Sequence, residues 1–210
     1  QMYRFGSPPN YNPKPEDSIE GMAKEKGVTA AELAYEILIE NDGNNFIYAP
    51  LVNYADHTFG VCKKMLDDKN AIMGLGDGGA HVGFILDAGY PTWLISYWSV
   101  KKKAYSMEET VRRLTSDTAN AAGLNDRGLL KVGLKADINI IDWENVGSSD
   151  PFMTQDLPAG GKRLMQHTQG YVTTIVSGKI TYKNGEFTKE RPGTVVKSVR
   201  DEEKTLEFTN

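Results

Sequence analysis

Residues 73–84, MGLGDGGAHVGF, set an aspartate and a histidine four positions apart in a glycine-rich run that follows a short apolar stretch. Asp77 has no basic neighbour within several positions on either side. A carboxylate at such a place can take the proton of an attacking water or ligate a metal ion. It can also simply brace a tight turn by accepting backbone amides. Gly76, Gly78 and Gly79 allow tight backbone paths and close approach of a ligand. On spacing alone both readings of Asp77 stand; under the first, Asp77 would be catalytic, Gly78 and Gly79 would line a substrate cleft and His81 would contact substrate. The plainer alternative for His81 is a solvated loop histidine.

Other chemistries are less well served. His57 and His167 lie in separate segments, and the chain has no HxH, HExxH or CxxC pair, so it does not assemble an ordinary zinc site by itself. GLGDGG at 74–79 fits the spacing of a dinucleotide loop, but its aspartate would face the pyrophosphate. No P-loop and no GxSxG nucleophile elbow is present. The single cysteine, Cys62, has helical spacing to Phe59 and Leu66 and reads as a buried helix thiol. One cysteine cannot close an intramolecular disulfide, so an oxidised secreted scaffold is excluded and a cytoplasmic setting is expected.

Composition bounds the partners. The 210 residues are 40% hydrophobic and 25% charged, with a net charge of −4. The one basic cluster is Lys101–Lys103, so nucleic acid is not expected as a partner. The apolar stretches are far shorter than a bilayer, so no membrane association is expected.

The elements that must position Asp77 can be read from caps and periodicity. Pro8, Pro9, Pro13 and Pro15 make the first segment irregular. A helix follows Asp17 or Ser18 and stops at Gly27, with Ile19, Met22 and Ala23 inward. A second starts at a Thr29–Glu32 capping box and buries Leu33 and Ile37. NNFIYAPL (44–51) is a short strand. ADHTFGVCKKMLDDK (55–69) is an amphipathic helix with Phe59, Cys62, Met65 and Leu66 inward. NAIMGLGD (70–77) is a strand apolar on both faces, as in a parallel sheet, which puts Asp77 at its carboxyl end. PTWLISYWSVKKK and SMEETVRRLTSDTANAAGL add helices, the latter with a Ser106–Glu109 capping box. Strands alternating with helices give an α/β class.

The texture changes near residue 128. ADINIIDW (136–143) is a strand. YVTTIVSGKITYKNGEFT (171–188) is two successive hairpins turning at Ser177–Gly178 and Asn184–Gly185. Residues 144–170 read as loop-rich, with DLPAGGKR as a surface excursion. The charged end, RDEEKTLEFTN, is expected to fray.

These stretches resemble, in order, the C-terminal portion of metal-dependent amidohydrolases of the N-acyl-D-amino-acid deacylase (D-aminoacylase) type. DRGLLKVGLKADINIID (126–142) carries the resemblance to the superfamily. DLPAGGKR and VSGKITYKNGEFTKERPG narrow it to the D-aminoacylase branch. The resemblance implies the last βα units of a (β/α)₈ TIM-like barrel at 1–128, a small β domain at 129–200 that is part of a composite β-sandwich, and a charged tail at 201–210. It implies a small N-acyl amino acid substrate, zinc as cofactor, and proton transfer by Asp77, which also faces the metal and is a possible ligand to it. The remaining ligands would lie upstream, so the chain reads as a fragment, inactive alone, that pairs with a missing N-terminal portion or forms a homo-oligomer. Many relatives of that branch carry a His-Pro-Arg stretch after the aspartate, and AHVGFILDAGYPTW has no arginine to hold a substrate carboxylate. Two alternatives stay open: a non-catalytic ligand-binding or partner-binding pseudo-enzyme, and an amidohydrolase acting on cyclic amides.

Overall fold

A computed structural model describes residues 1–74, 76 and 79–197. They form two compact units, Gln1–Ala71 and Ile72–Asn210.

The first unit is built on two capped helices. α1 (Ile19–Lys26) starts where the Ser18 side chain accepts the Gly21 amide, and ends at Gly27 in the left-handed region. α2 (Ala30–Gly43) opens with the full capping box: the Thr29 amide donates to Glu32 Oε2 at 2.8 Å, and the Glu32 amide to Thr29 Oγ1 at 3.2 Å. Non-helical torsions at Glu40, Asn41 and Asp42 unwind its last turn. Ile19, Ala23, Leu33 and Ile37 meet in a buried core flanked by Met22, Ala34 and Ile47. β1 (Tyr3–Arg4) pairs antiparallel with β2 (Ile47–Tyr48), the short strand expected near residue 47. Tyr11 and Phe46 pack edge-on against Tyr48 and Phe5 around this ladder. α3 (Gly60–Asp67) half-buries Cys62 and Leu66. Met65, expected inward, is 44% exposed.

In the second unit, Tyr90–Trp93 starts a helix (α4) that continues as a π-helix over Leu94–Lys101, where the Lys102 amide reaches back to the Tyr97 carbonyl at 2.8 Å. Leu94, Ile95, Tyr97 and Trp98 are its buried side. α5 (Met107–Leu114) is capped by Ser106 and separated from α6 (Ser116–Ala121) by Thr115 at φ −122°, ψ −88°. Only half of the Ser106–Glu109 box forms, because the Glu109 carboxylate takes Arg113 at 2.8 Å instead.

β3 (Ile138–Ile141) is followed by β4 (Gly147–Ser148), β5 (Phe152–Leu157), β6 (Gly161–Met165), β7 (Thr168–Gln169), β8 (Tyr171–Val176), β9 (Lys179–Lys183) and β10 (Glu186–Phe187). β10-β9-β8-β3 form one antiparallel sheet, which is the meander expected over 172–188 packed on the strand at 136–142. Ser177 and Gly178 (φ 49° and 76°), and Asn184 and Gly185 (φ 50° and 84°), have the paired positive φ of a type I′ turn. Asp137 ties the preceding segment to this sheet. One of its oxygens lies 3.1 Å from Arg127 Nη1 and the other accepts the Ser177 amide at 2.8 Å.

Two expectations are corrected. Residues 144–170 are not mainly loop: β4 pairs with β7, and β5 pairs with β6 across the Pro158–Gly160 turn. The Ala-Gly-Gly turn of the supposed excursion is a hairpin closure flanked by strands whose alternation is weak. Residues 71–74 and 76 form no strand, and every strand pair among the described residues is antiparallel. A parallel strand needs a neighbour brought in by a distant crossover. AIMG leads straight into glycines, which lose the most entropy when fixed.

Candidate functional site

Gly76 lies under an aromatic ring. A Cβ on Gly76 would meet Tyr90 Cε1 at 2.8 Å, so the tyrosine ring lies directly on this backbone. Asp77 and Gly78 lie outside the described residues. Gly79 sits in an exposed turn with open space where a side chain would project. His81 has φ 49°, and its carbonyl accepts the amides of Phe84 and Ile85, both at 3.0 Å. This closes a tight turn just after the glycines. The His81 ring is exposed and lies 5.2 Å, centroid to centroid, from that of Phe84, itself 68% exposed. An exposed imidazole next to an open turn is accessible to a ligand.

The other histidines are occupied elsewhere. His57 Nδ1 lies 3.0 Å from the hydroxyl of buried Tyr3, in the first unit. The His167 ring packs at 4.8 Å on Phe152. Cys62 is half-buried, its Sγ 3.6 Å from the Asn53 carbonyl, and burial pushes its thiol pKa up, which disfavours the reactive thiolate. Tyr48 is pushed up to about 12, first by burial and then by neighbouring Tyr54 and Tyr11, so it stays a neutral phenol. Among the described residues no group of three or more His, Cys, Asp or Glu is placed to hold a metal ion. The donor set there does not fit the zinc implied by the resemblance.

The residues that hold the His81 turn come from the β elements, and no spacing or residue pattern marks them in advance. The Leu164 amide donates to the Val82 carbonyl at 2.7 Å. Gly89 lies against Gln166 and Ser148, within 3.5 and 3.9 Å of a Cβ built there. Thr92 Oγ1 lies 2.9 Å from the Tyr171 hydroxyl. The partners of each pair lie between 59 and 82 positions apart in the chain.

The profile of the amidohydrolase family matches residues 15–182. The chain belongs to the amidohydrolase family. That match runs through the glycine-rich segment, the helices after it and the sheet down to β9. Among curated relatives, the amidohydrolase chain is 32% identical over 89 residues to a dihydroorotase of Lactobacillus acidophilus, covering 40% of this chain and 20% of that one. Among solved structures it is similar to D-aminoacylase. One such structure, from work on that protein's binuclear metal centre, aligns at TM-score 0.46 and 18% identity, and a second at 0.46 and 20%. Both alignments cover 90% of this chain and 36% of the other. This amidohydrolase chain thus spans about a third of the length of those structures and a fifth of that relative. No helix among its described residues is long and apolar enough to cross a membrane.

Proposed function

We propose that the polypeptide carrying this sequence is a metal-dependent hydrolase that cleaves the amide bond of small N-acyl-D-amino acids with water. The observation that carries this is the family match, whose span includes Asp77, Gly78, Gly79 and His81. The D-aminoacyl substrate is supported by the DLPAGGKR and VSGKITYKNGEFTKERPG stretches. Water adds to the acyl carbon and its proton goes to the Asp77 carboxylate. The C–N bond then breaks, and the same proton passes to the departing amine nitrogen. His81, accessible on its turn, bonds the carbonyl oxygen as negative charge develops. Gly78 and Gly79 leave room for the acyl group. Asp77 is the single candidate metal ligand we assign within these 210 residues; the other ligands of a zinc ion would come from other parts of that polypeptide.

A second reading is favoured by the dihydroorotase match: hydrolytic opening of a cyclic amide, which uses the same proton transfers. The purified enzyme should be offered N-acetyl-D-amino acids, their L enantiomers and dihydroorotate. Release of D-amino acid without ring opening is the expected result. Ring opening without deacylation supports the second reading and overturns the first.

A further inference from the structure

We propose that the β5–β6 hairpin is a positioning element for the His81 turn, acting through the Leu164 amide. In the β5–β6 register Leu164 faces Met153, yet its N–H goes to Val82 at 2.7 Å. That donor therefore points away from β5. β6 uses one edge to pair with β5 and the other to hold the residue next to His81. Gln166, just beyond β6, extends the hold. Its Nε2 donates to the Ser149 carbonyl at 2.6 Å, and its Oε1 borders Gly89. Thr92 and Tyr171 close the far end at 2.9 Å. The turn from His81 to Gly89 is thus tied to the β elements near both ends, while the His81 carbonyl closes its first part through two short local bonds. An exposed histidine on a glycine-rich backbone has many orientations, and contacts that hold its backbone reduce them.

The geometry also isolates the test. Leu164→Pro deletes the donor to Val82 and leaves the β5–β6 ladder intact, because proline is tolerated where a strand N–H faces away from its partner. Hydrogen exchange is then read on the amides of Phe84 and Ile85, which close the His81 turn, with Asn184, bonded to the Val172 carbonyl at 2.9 Å, as the reference. Exchange at Phe84 and Ile85 should quicken roughly tenfold or more while Asn184 stays protected. Unchanged exchange at Phe84 and Ile85 beside a protected Asn184 overturns the proposal. Should Asn184 lose protection, Gln166→Ala decides through the Tyr90 amide, bonded to the Asp87 carbonyl at 3.2 Å. Faster exchange there supports the hold and unchanged exchange overturns it.

The kinetic arm rests on the role proposed above for His81. In the enzyme carrying this sequence, Leu164→Pro should lower kcat/KM about tenfold, and the double variant with His81→Ala should be no worse than His81→Ala alone, since both act through one group. Faster exchange with unchanged kcat/KM keeps the positioning role and removes His81 from the chemistry, so the two failures are told apart.

Discussion

Residues 171–187 and residues 71–89 are both rich in turn residues, and they behave in opposite ways. In the first, each glycine follows a serine or asparagine and closes a ladder: β8, β9 and β10 pair in succession. In the second, residues 71–74 and 76 join no ladder, and contacts from Tyr90, Leu164 and Gln166 reach Gly76, Val82 and Gly89. A type I′ hairpin is specified by neighbours in sequence. The contacts to Val82 and Gly89 come from partners up to 82 positions away. The first region is built for stability. The second takes its placement from distant contacts and not from local turn chemistry.

Substitutions can break that contrast, and on stability the largest effect is expected in the β region. A Cβ on Gly170 would lie 2.6 Å from Val146 Cα, with φ at +84°. Val146 Cα and its N, 2.9 Å away, are both backbone, and Val146 is buried, so Gly170→Ala should cost about 2–4 kcal/mol in chemical denaturation. At Gly178 φ is +76° but nothing lies within 4 Å. Gly178→Ala should then cost only the left-handed backbone penalty, about 1–2 kcal/mol. Equal losses at the two sites would deny that the Gly170 contact matters. Gly79→Ala should change stability less than either, because open space surrounds it and its φ is not in the left-handed region.

The smallest effect is a pH dependence in the first unit. The backbone and hydroxyl bonds from Thr29 lower the Glu32 pKa below its ordinary value. A carboxyl with a lowered folded pKa stabilises the fold above its unfolded pKa, and that contribution is lost as pH falls through the folded value. The destabilisation caused by Thr29→Ala should therefore be greatest near neutrality and shrink in acid below the ordinary glutamate range. A loss that is flat with pH would mean that the box is not formed in solution.

How much of this was legible follows the same division. Ser18, Thr29 and Ser106 cap their helices as their types and positions suggest, and the two X-Gly turns fall where the sequence put them. Cap and turn chemistry acts over three or four residues. The β5–β6 hairpin was hidden because Phe152–Leu157 alternates poorly and its turn looks like any glycine loop. A parallel strand at 70–77 was inferred from apolarity alone, which cannot tell a buried strand from an irregular segment packed under a tyrosine ring. Asp77 was singled out by its isolation among glycines, whereas Leu164 and Gln166 act through contacts that no spacing in the sequence records.

The central claim is that Asp77 serves turnover and not the fold. Its most direct test is Asp77→Asn in the enzyme carrying this sequence, with kcat/KM for an N-acetyl-D-amino acid and the melting temperature measured on one preparation. The amide is nearly isosteric but cannot accept the proton, so kcat/KM should fall by about 10²–10⁴ while the melting temperature stays within a few degrees. Undiminished turnover in Asp77→Asn would contradict the account, as would a fall in melting temperature large enough to explain the lost activity.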